Sequence, residues 1–212
     1  MTPDEFVDAV RDDNDTALSR LGSSKSLYAA TGGDLEPEEV LRAAANAEHA
    51  AAETFAAWAA DEGTDTPAGE AFADAADQER EHYEIVLDEL GDDDFEPSED
   101  PSAMQVALRD LDDTAARAGG MVGRILATEK SKEQYTGFFT GQADPMTAST
   151  FRDLKDDLEG QLEAATALLD TVCEDDADWE RAKTAADDAI QAAYDEYTEQ
   201  LESMGVNPKP VC

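Results

Sequence analysis

The chain has 212 residues, enough for one helical domain with a substantial core, and carries 52 acidic against 15 basic residues, a formal net charge of -37. Because 41% of the residues are apolar and recur at helical spacing, intrinsic disorder is excluded; disordered acidic chains are poor in hydrophobic residues. The same charge repels duplex DNA and RNA, and no basic stripe with interleaved aromatics offsets it, so direct nucleic-acid binding is not expected. Such a charge destabilises a compact state in dilute buffer, whereas molar salt, with a Debye length of about 3 Å, screens it; together with the scarcity of lysine, this points to a high-salt cytoplasm.

Cys173 and Cys212 form neither a disulfide framework nor a closely spaced metal pair, which suits a reduced compartment. The start, MTPDEFVDAVRDD, lacks a basic segment followed by an apolar one, and no apolar run reaches the ~18 to 20 residues of a membrane span. A cytoplasmic protein without membrane attachment is expected.

In chain order, residues 4–21 place Phe6, Val10, Ala17, Leu18 and Leu21 near one face and predict a leading helix, followed by a linker, GSSKSLYAATGGD. Pro37, with Glu38 and Glu39 behind it, suits the first turn of a helix that reaches Glu62 and stops at Gly63. A second helix over 68–90 ends at Gly91, and the short connection makes the two an antiparallel pair. The polar stretch 91–100 spans at most about 33 to 36 Å, long enough or nearly so to recross a bundle. Pro101 opens a third helix expected to run to Phe139, with an irregularity at Gly119 and Gly120. A fourth covers 147–172 and a last one 179–204, before a proline-containing tail. The expected fold is all-α and a single domain over 1–212: a four-helix core over 37–172, an extra N-terminal helix, and a C-terminal helix and tail over 173–212.

Most of the acids lie on outer faces, so those on inward faces carry the information. In the helix over 37–62, Leu41, Ala44, Ala51, Ala52, Phe55 and Ala59 share a face, and Glu48 lies on it. In the helix over 68–90, Glu79 and His82 fall in the stripe of Phe72, Ala75, Ala76, Tyr83, Val86 and Leu90. Glu48 precedes Gly63 by 15 residues and Glu79 follows it by 16, so the two carboxylates meet across the hairpin, with His82 about one turn further. Burying two unpaired carboxylates costs several kcal/mol; a metal ion or a shared proton removes that cost, and without metal one of the pair is expected to titrate above about 4.3.

With Glu48, Glu79-x-x-His82, Phe55 and the four-helix organisation in place, residues 37–172 resemble the ferritin-like superfamily, rubrerythrin-type proteins in particular. The resemblance implies an antiparallel bundle that holds iron or manganese between two hairpins, for oxygen or peroxide chemistry or iron handling. A shift of 81 residues, 129 minus 48, carries Glu48 onto Glu129, which follows Val122 and Ile125 on an apolar face. The same shift carries Glu79 onto Gly160 and His82 onto Glu163, so the second hairpin lacks its Glu-x-x-His. The expected ligands are Glu48, Glu79, His82 and Glu129, which with water complete one metal site, Glu163 being an occasional or water-mediated ligand; a full two-metal centre would need Glu163 or Glu133 to swing in. They imply at most one tightly held iron or manganese ion per chain and weak oxidase or peroxidase activity. The cysteine-rich iron module of rubrerythrins proper is absent. The alternative is a ferritin-like protein without metal, its inward polar groups hydrogen-bonding one another, acting as a regulatory or scaffolding protein.

Residues 114–143 hold four bases and two acids, a local +2 within the acidic chain. One reading is a central helix buried by its neighbours, its glycines allowing close packing and its bases pairing with surrounding acids. The other is a surface for a homodimer or protein partner, anchored by Tyr135, Phe138 and Phe139. His49 is rotated about 100° from Glu48 and reads as a surface or helix-contact residue. Cys173 reads as a small core residue, and the terminal Cys212 as exposed. No nucleophile elbow, phosphate loop or dinucleotide fingerprint is present.

Overall fold

Proline at the first turn and glycine or a short polar side chain at the ends determine where the helices begin and stop. In the computed structural model, which describes residues 1–92 and 94–208, they are α1 (Pro3–Asp13), α2 (Asp15–Leu21), α3 (Ser24–Ala30), α4 (Pro37–Glu62), α5 (Pro67–Leu90), α6 (Ala103–Arg109), α7 (Thr114–Gly141), α8 (Pro145–Val172) and α9 (Asp176–Ser203); no strand occurs among the described residues. Pro37, Pro67 and Pro145 open α4, α5 and α8, where their missing N–H groups need no partner. Gly63 and Gly91 close α4 and α5 at φ 83° and 64°, a backbone region that disfavours side chains.

The chain departs from its expected elements in three places. The leading helix breaks at Asn14, whose side-chain amide donates to Val10 O and to Asp187 Oδ1 on α9, and the expected linker contains α3. The third helix divides into α6 and α7, because Asp113 turns its carboxylate onto the N–H of Ala116 and starts α7 afresh. At Gly119 and Gly120, by contrast, α7 runs on without irregularity. A Cβ on Gly119 would lie 1.9 Å from Ala182 O, and one on Gly123 2.3 Å from Ala186 O, so glycine serves the close approach of α9.

The polar link after α5 recrosses the molecule. Asp92 pairs with Arg42, the Ser98 N–H donates to Asn46, Gln105 meets Thr54, and Thr114 and Arg117 reach Glu62, so the link and α6 follow α4 along its length. As a result α7 starts beside the end of α4 and runs antiparallel to it. Side-chain partners between α5 and α8, Glu79 with Gln161 and Glu89 with Thr147 and Thr150, make that pair antiparallel too. Helix α7 lies at the centre with α8 and α9 packed along it, and it is buried almost all round from Ala115 to Ala127.

Among the described residues three apolar clusters form, one of them joining the N-terminal helices to α7 and α9 through Leu21, Ala29, Ala127, Tyr197 and Leu201, and the other two filling the bundle interior. Phe55, Trp58 and Phe72 meet edge-on in one; Tyr135, Phe139 and Phe151 pack in the other. Between them lies a layer of buried polar side chains. No helix among the described residues is long and apolar enough to cross a membrane.

Candidate functional site

Three of the expected ligands converge in this layer. Glu48 from α4 and Glu79 and His82 from α5 are 1%, 0% and 1% exposed, and their ligand atoms lie within 4.8 Å of one another, a group compact enough to hold a metal ion. The helical period and the nearly equal distances of Glu48 and Glu79 from the Gly63 turn suffice to bring them together.

Opposite them stand residues that periodicity did not single out. Arg124 of α7 grips Glu79 end-on, Nη1 and Nη2 each donating to one carboxylate oxygen at 2.6 Å, and Gln161 of α8 donates to the same carboxylate at 2.5 Å. Lys132, 0% exposed, donates from Nζ to Glu48 Oε1 at 2.6 Å. His82 Nε2 lies 3.2 Å from Asp157 Oδ2, on the exposed flank of α8. Two carboxylates thus face two cations, and their formal charges cancel.

The electrostatics follow this pairing. Burial alone would push the Glu48 carboxyl up, but the charge of Lys132, with His82 and Glu79 alongside, outweighs it and holds the group well below the ordinary carboxylate value. The expected upward titration of one carboxylate is therefore not found at Glu48. Burial works against the Arg124 charge, yet the adjoining Glu79 raises its pKa further. The Tyr135 hydroxyl is pushed up by burial and by the charge of Glu48.

The other two expected ligands lie elsewhere. Glu129 is half-buried and lines a surface hollow with Arg11, Asp15 and Leu18, on the side of α7 that meets the N-terminal helices. Its apolar neighbours Val122 and Ile125 promised an inward face, but α7 has apolar contacts almost all round, so an apolar stripe there does not say which neighbour it faces. Glu163 is exposed on α8, and the α8 position that faces the centre is Gln161, one residue beyond Gly160. Glu133, expected to swing in, is half-exposed with Lys130 and Lys155 3.5 Å away. His49 packs on the Tyr83 ring, 5.3 Å between centroids. Cys173 is half-buried beside the core, and Cys212 lies outside the described residues.

A signal for Arg124 was present in the sequence. It interrupts the run GMVGRILA and has no acid three or four residues away on its own helix, so a partner had to come from another element. Of the proposed partner anchors, Tyr135 and Phe139 are consumed inside the chain, and Phe138 is half-buried against Phe139. A separate cleft of about 870 Å³ runs between α4 and α9, walled by Ala43, Ala47 and Ala193 and floored by Tyr135.

Comparison with models of protein families, with curated proteins and with solved structures finds no match to this chain.

Two carboxylates and an imidazole are a chemically apt donor set for iron or manganese. As arranged, however, each carboxylate already has a cation at 2.6 Å. A divalent ion added to this neutral group would leave about two uncompensated positive charges in a dry interior, which is strongly unfavourable. The residues therefore fit a self-neutralised polar layer, and they fit a metal only if Lys132 or Arg124 withdraws.

Proposed function

We propose that this chain is a metal-free bundle of ferritin-like arrangement, acting as a regulatory or scaffolding protein rather than as a metal-dependent oxidase. The observation that carries the reading is the placement of Lys132 and Arg124 against Glu48 and Glu79, at the position where a bundle metal would sit. The directions of α4, α5, α7 and α8, with the long recrossing link in the middle, support the ferritin-like arrangement. Buried ion pairs of this kind set which helices meet and at what level, a use that suits a scaffold. The surface that α7 leaves for a partner or second copy is its C-terminal half, beyond Ala127.

A second reading keeps iron or manganese at Glu48, Glu79 and His82, and one observation favours it: Glu48 Oε2 and His82 Nδ1 are buried without hydrogen-bond partners and lie 3.8 Å apart. Elemental analysis of protein purified in high salt, followed by anaerobic titration with ferrous or manganous ion, separates the two. Absence of a tight equivalent supports the metal-free reading. Saturation at one or more tight equivalents per chain overturns it.

A further inference from the structure

The cleft of about 870 Å³ between α4 and α9 falls within the size range of small-molecule sites, about 300 to 1,000 Å³, and Glu48, Glu79 and His82 do not line it. It exists because α4 and α9 both pack on α7 and stand apart from each other, with Ala43 and Ala47 facing the space on one side and Ala193 on the other. Helix α3, and α6 with the link before it, add to the lining. So many contributing elements enclose a compact guest rather than the long ridge of a docking helix.

The lining carries unmet negative charge. Glu53, Glu99, Asp100 and Glu196 stand against the guanidinium of Arg109, which gives its hydrogen bonds to neutral acceptors, Thr54 Oγ1 and Ala50 O. Acids are plentiful on this chain, so the half-buried Glu196 is the informative one. It has no basic partner among the described residues, whereas the half-buried Glu62, Asp92, Glu133 and Asp187 pair with Arg117, Arg42, Lys130 and Lys183 respectively. Burial pushes its carboxyl up, against the lowering effect of the Ala103 N–H.

A second unmet group stands at the same level. Tyr135 is 6% exposed, and its hydroxyl, open to the cleft, has no hydrogen-bond partner among the described residues. Gly119 meets Ala182 and Gly123 meets Ala186, so α9 runs parallel to α7 at a constant offset of 63 positions, 182 minus 119 and 186 minus 123. Carried onward, that offset sets Tyr135 level with Thr198, two residues or about 3 Å along the axis from Glu196. On the other side Glu48 meets Lys132 with the helices antiparallel, which sets Tyr135 level with Ala45, between Ala43 and Ala47. The carboxylate, the hydroxyl and the alanine walls thus share one stretch of the cleft.

We propose that this cleft binds a small organic cation with an apolar body, its ammonium set against the Glu196 carboxylate and the Tyr135 hydroxyl and its body on the alanine walls. An ammonium donates to both groups, since the carboxylate accepts and the hydroxyl has free lone pairs. A neutral guest leaves Glu196 without a counter-charge. An anion is repelled by the four carboxylates, and a second copy of this chain brings its own net charge of -37 to the contact. The proposal holds whether or not metal occupies Glu48, Glu79 and His82.

The test titrates the full chain in molar salt, which screens the outer surface, with dansylcadaverine, a fluorescent apolar body ending in an ammonium, and with dansylamide, the same ring system without the charge. The expected result is saturable binding of one dansylcadaverine per chain and much weaker binding of dansylamide. Glu196→Gln should weaken dansylcadaverine about tenfold or more, and Tyr135→Phe severalfold. Ala47→Phe, on an exposed wall, should block the cleft while leaving the thermal midpoint in place, and Glu159→Gln, exposed on α8, should change nothing. Absence of saturable binding, equal affinity for the two probes, or affinity unmoved by both Glu196→Gln and Ala47→Phe overturns the proposal.

Discussion

Arg124 and Glu79 meet end-on, two hydrogen bonds of 2.6 Å between side chains that are 2% and 0% exposed, and this contact joins the α4–α5 hairpin to the central helix. A planar fork on a carboxylate is the strongest ion-pair geometry available, and its removal strands a charge. Arg124→Ala is therefore expected to destabilise the fold by about 3 to 5 kcal/mol, measured by denaturant unfolding in high salt. Arg124→Lys should recover only part of that, since a point charge does not reproduce the fork. Full recovery by lysine would mean that charge alone, not geometry, matters at this contact.

On the metal-free reading, Lys132 occupies with its ammonium the place a cation would take beside Glu48. Deleting its ammonium in Lys132→Ala leaves Glu48 uncompensated beside Glu79 and His82, which recreates a metal-binding donor set. The variant is expected to be less stable than the natural chain without metal and to regain stability with manganous ion, by about 2.7 kcal/mol at a hundredfold excess over its Kd. The natural chain should show no such response in a thermal melt. Equal stabilisation of both proteins would show that Lys132 is no obstacle to metal.

Three glycines in helices should respond in opposite senses to the same substitution. Alanine at Gly119 or Gly123 drives a methyl group into the backbone of α9 at Ala182 or Ala186. Each is expected to lose about 1 to 3 kcal/mol despite the better helix propensity of alanine. At Gly160 a Cβ meets nothing within 4 Å, so Gly160→Ala should gain up to about 1 kcal/mol. Midpoints from urea titrations decide it, and a gain at Gly119 would contradict the close packing of α7 and α9.

The Glu48 carboxyl gives the stability a defined pH dependence. Burial raises its pKa, but Lys132, His82 and Glu79 lower it further, so its folded value lies well below the ordinary 4.5. A depressed folded value means a stabilisation fully present above the unfolded value and lost as pH falls through the folded one. Below pH ~4.5, unfolding free energy in high salt should therefore decline, and Glu48→Gln should flatten that decline. An identical acid limb in the variant would remove Glu48 as its source.

The sequence by itself determined the long helices and the inward set on the first hairpin. Pro37, Pro67, Gly63 and Gly91 punctuate that hairpin, and a 3.6-residue period with nearly equal distances from one turn is local arithmetic, enough to bring Glu48, Glu79 and His82 together. Only the tertiary structure decided what faces them. Helix α7 is wrapped by several neighbours, so its apolar residues lie almost all round and its pattern carries no direction; whether Glu129 or Arg124 points at the carboxylates depends on how α8 and α9 clasp it. The break at Asn14 has the same origin in part, since its partner Asp187 lies 173 residues away. Charge neutralisation is a property of the assembled layer: Glu48 and Glu79 come from the first hairpin, Lys132 and Arg124 from the helix beyond the recrossing link, and nothing local to either segment shows that they meet.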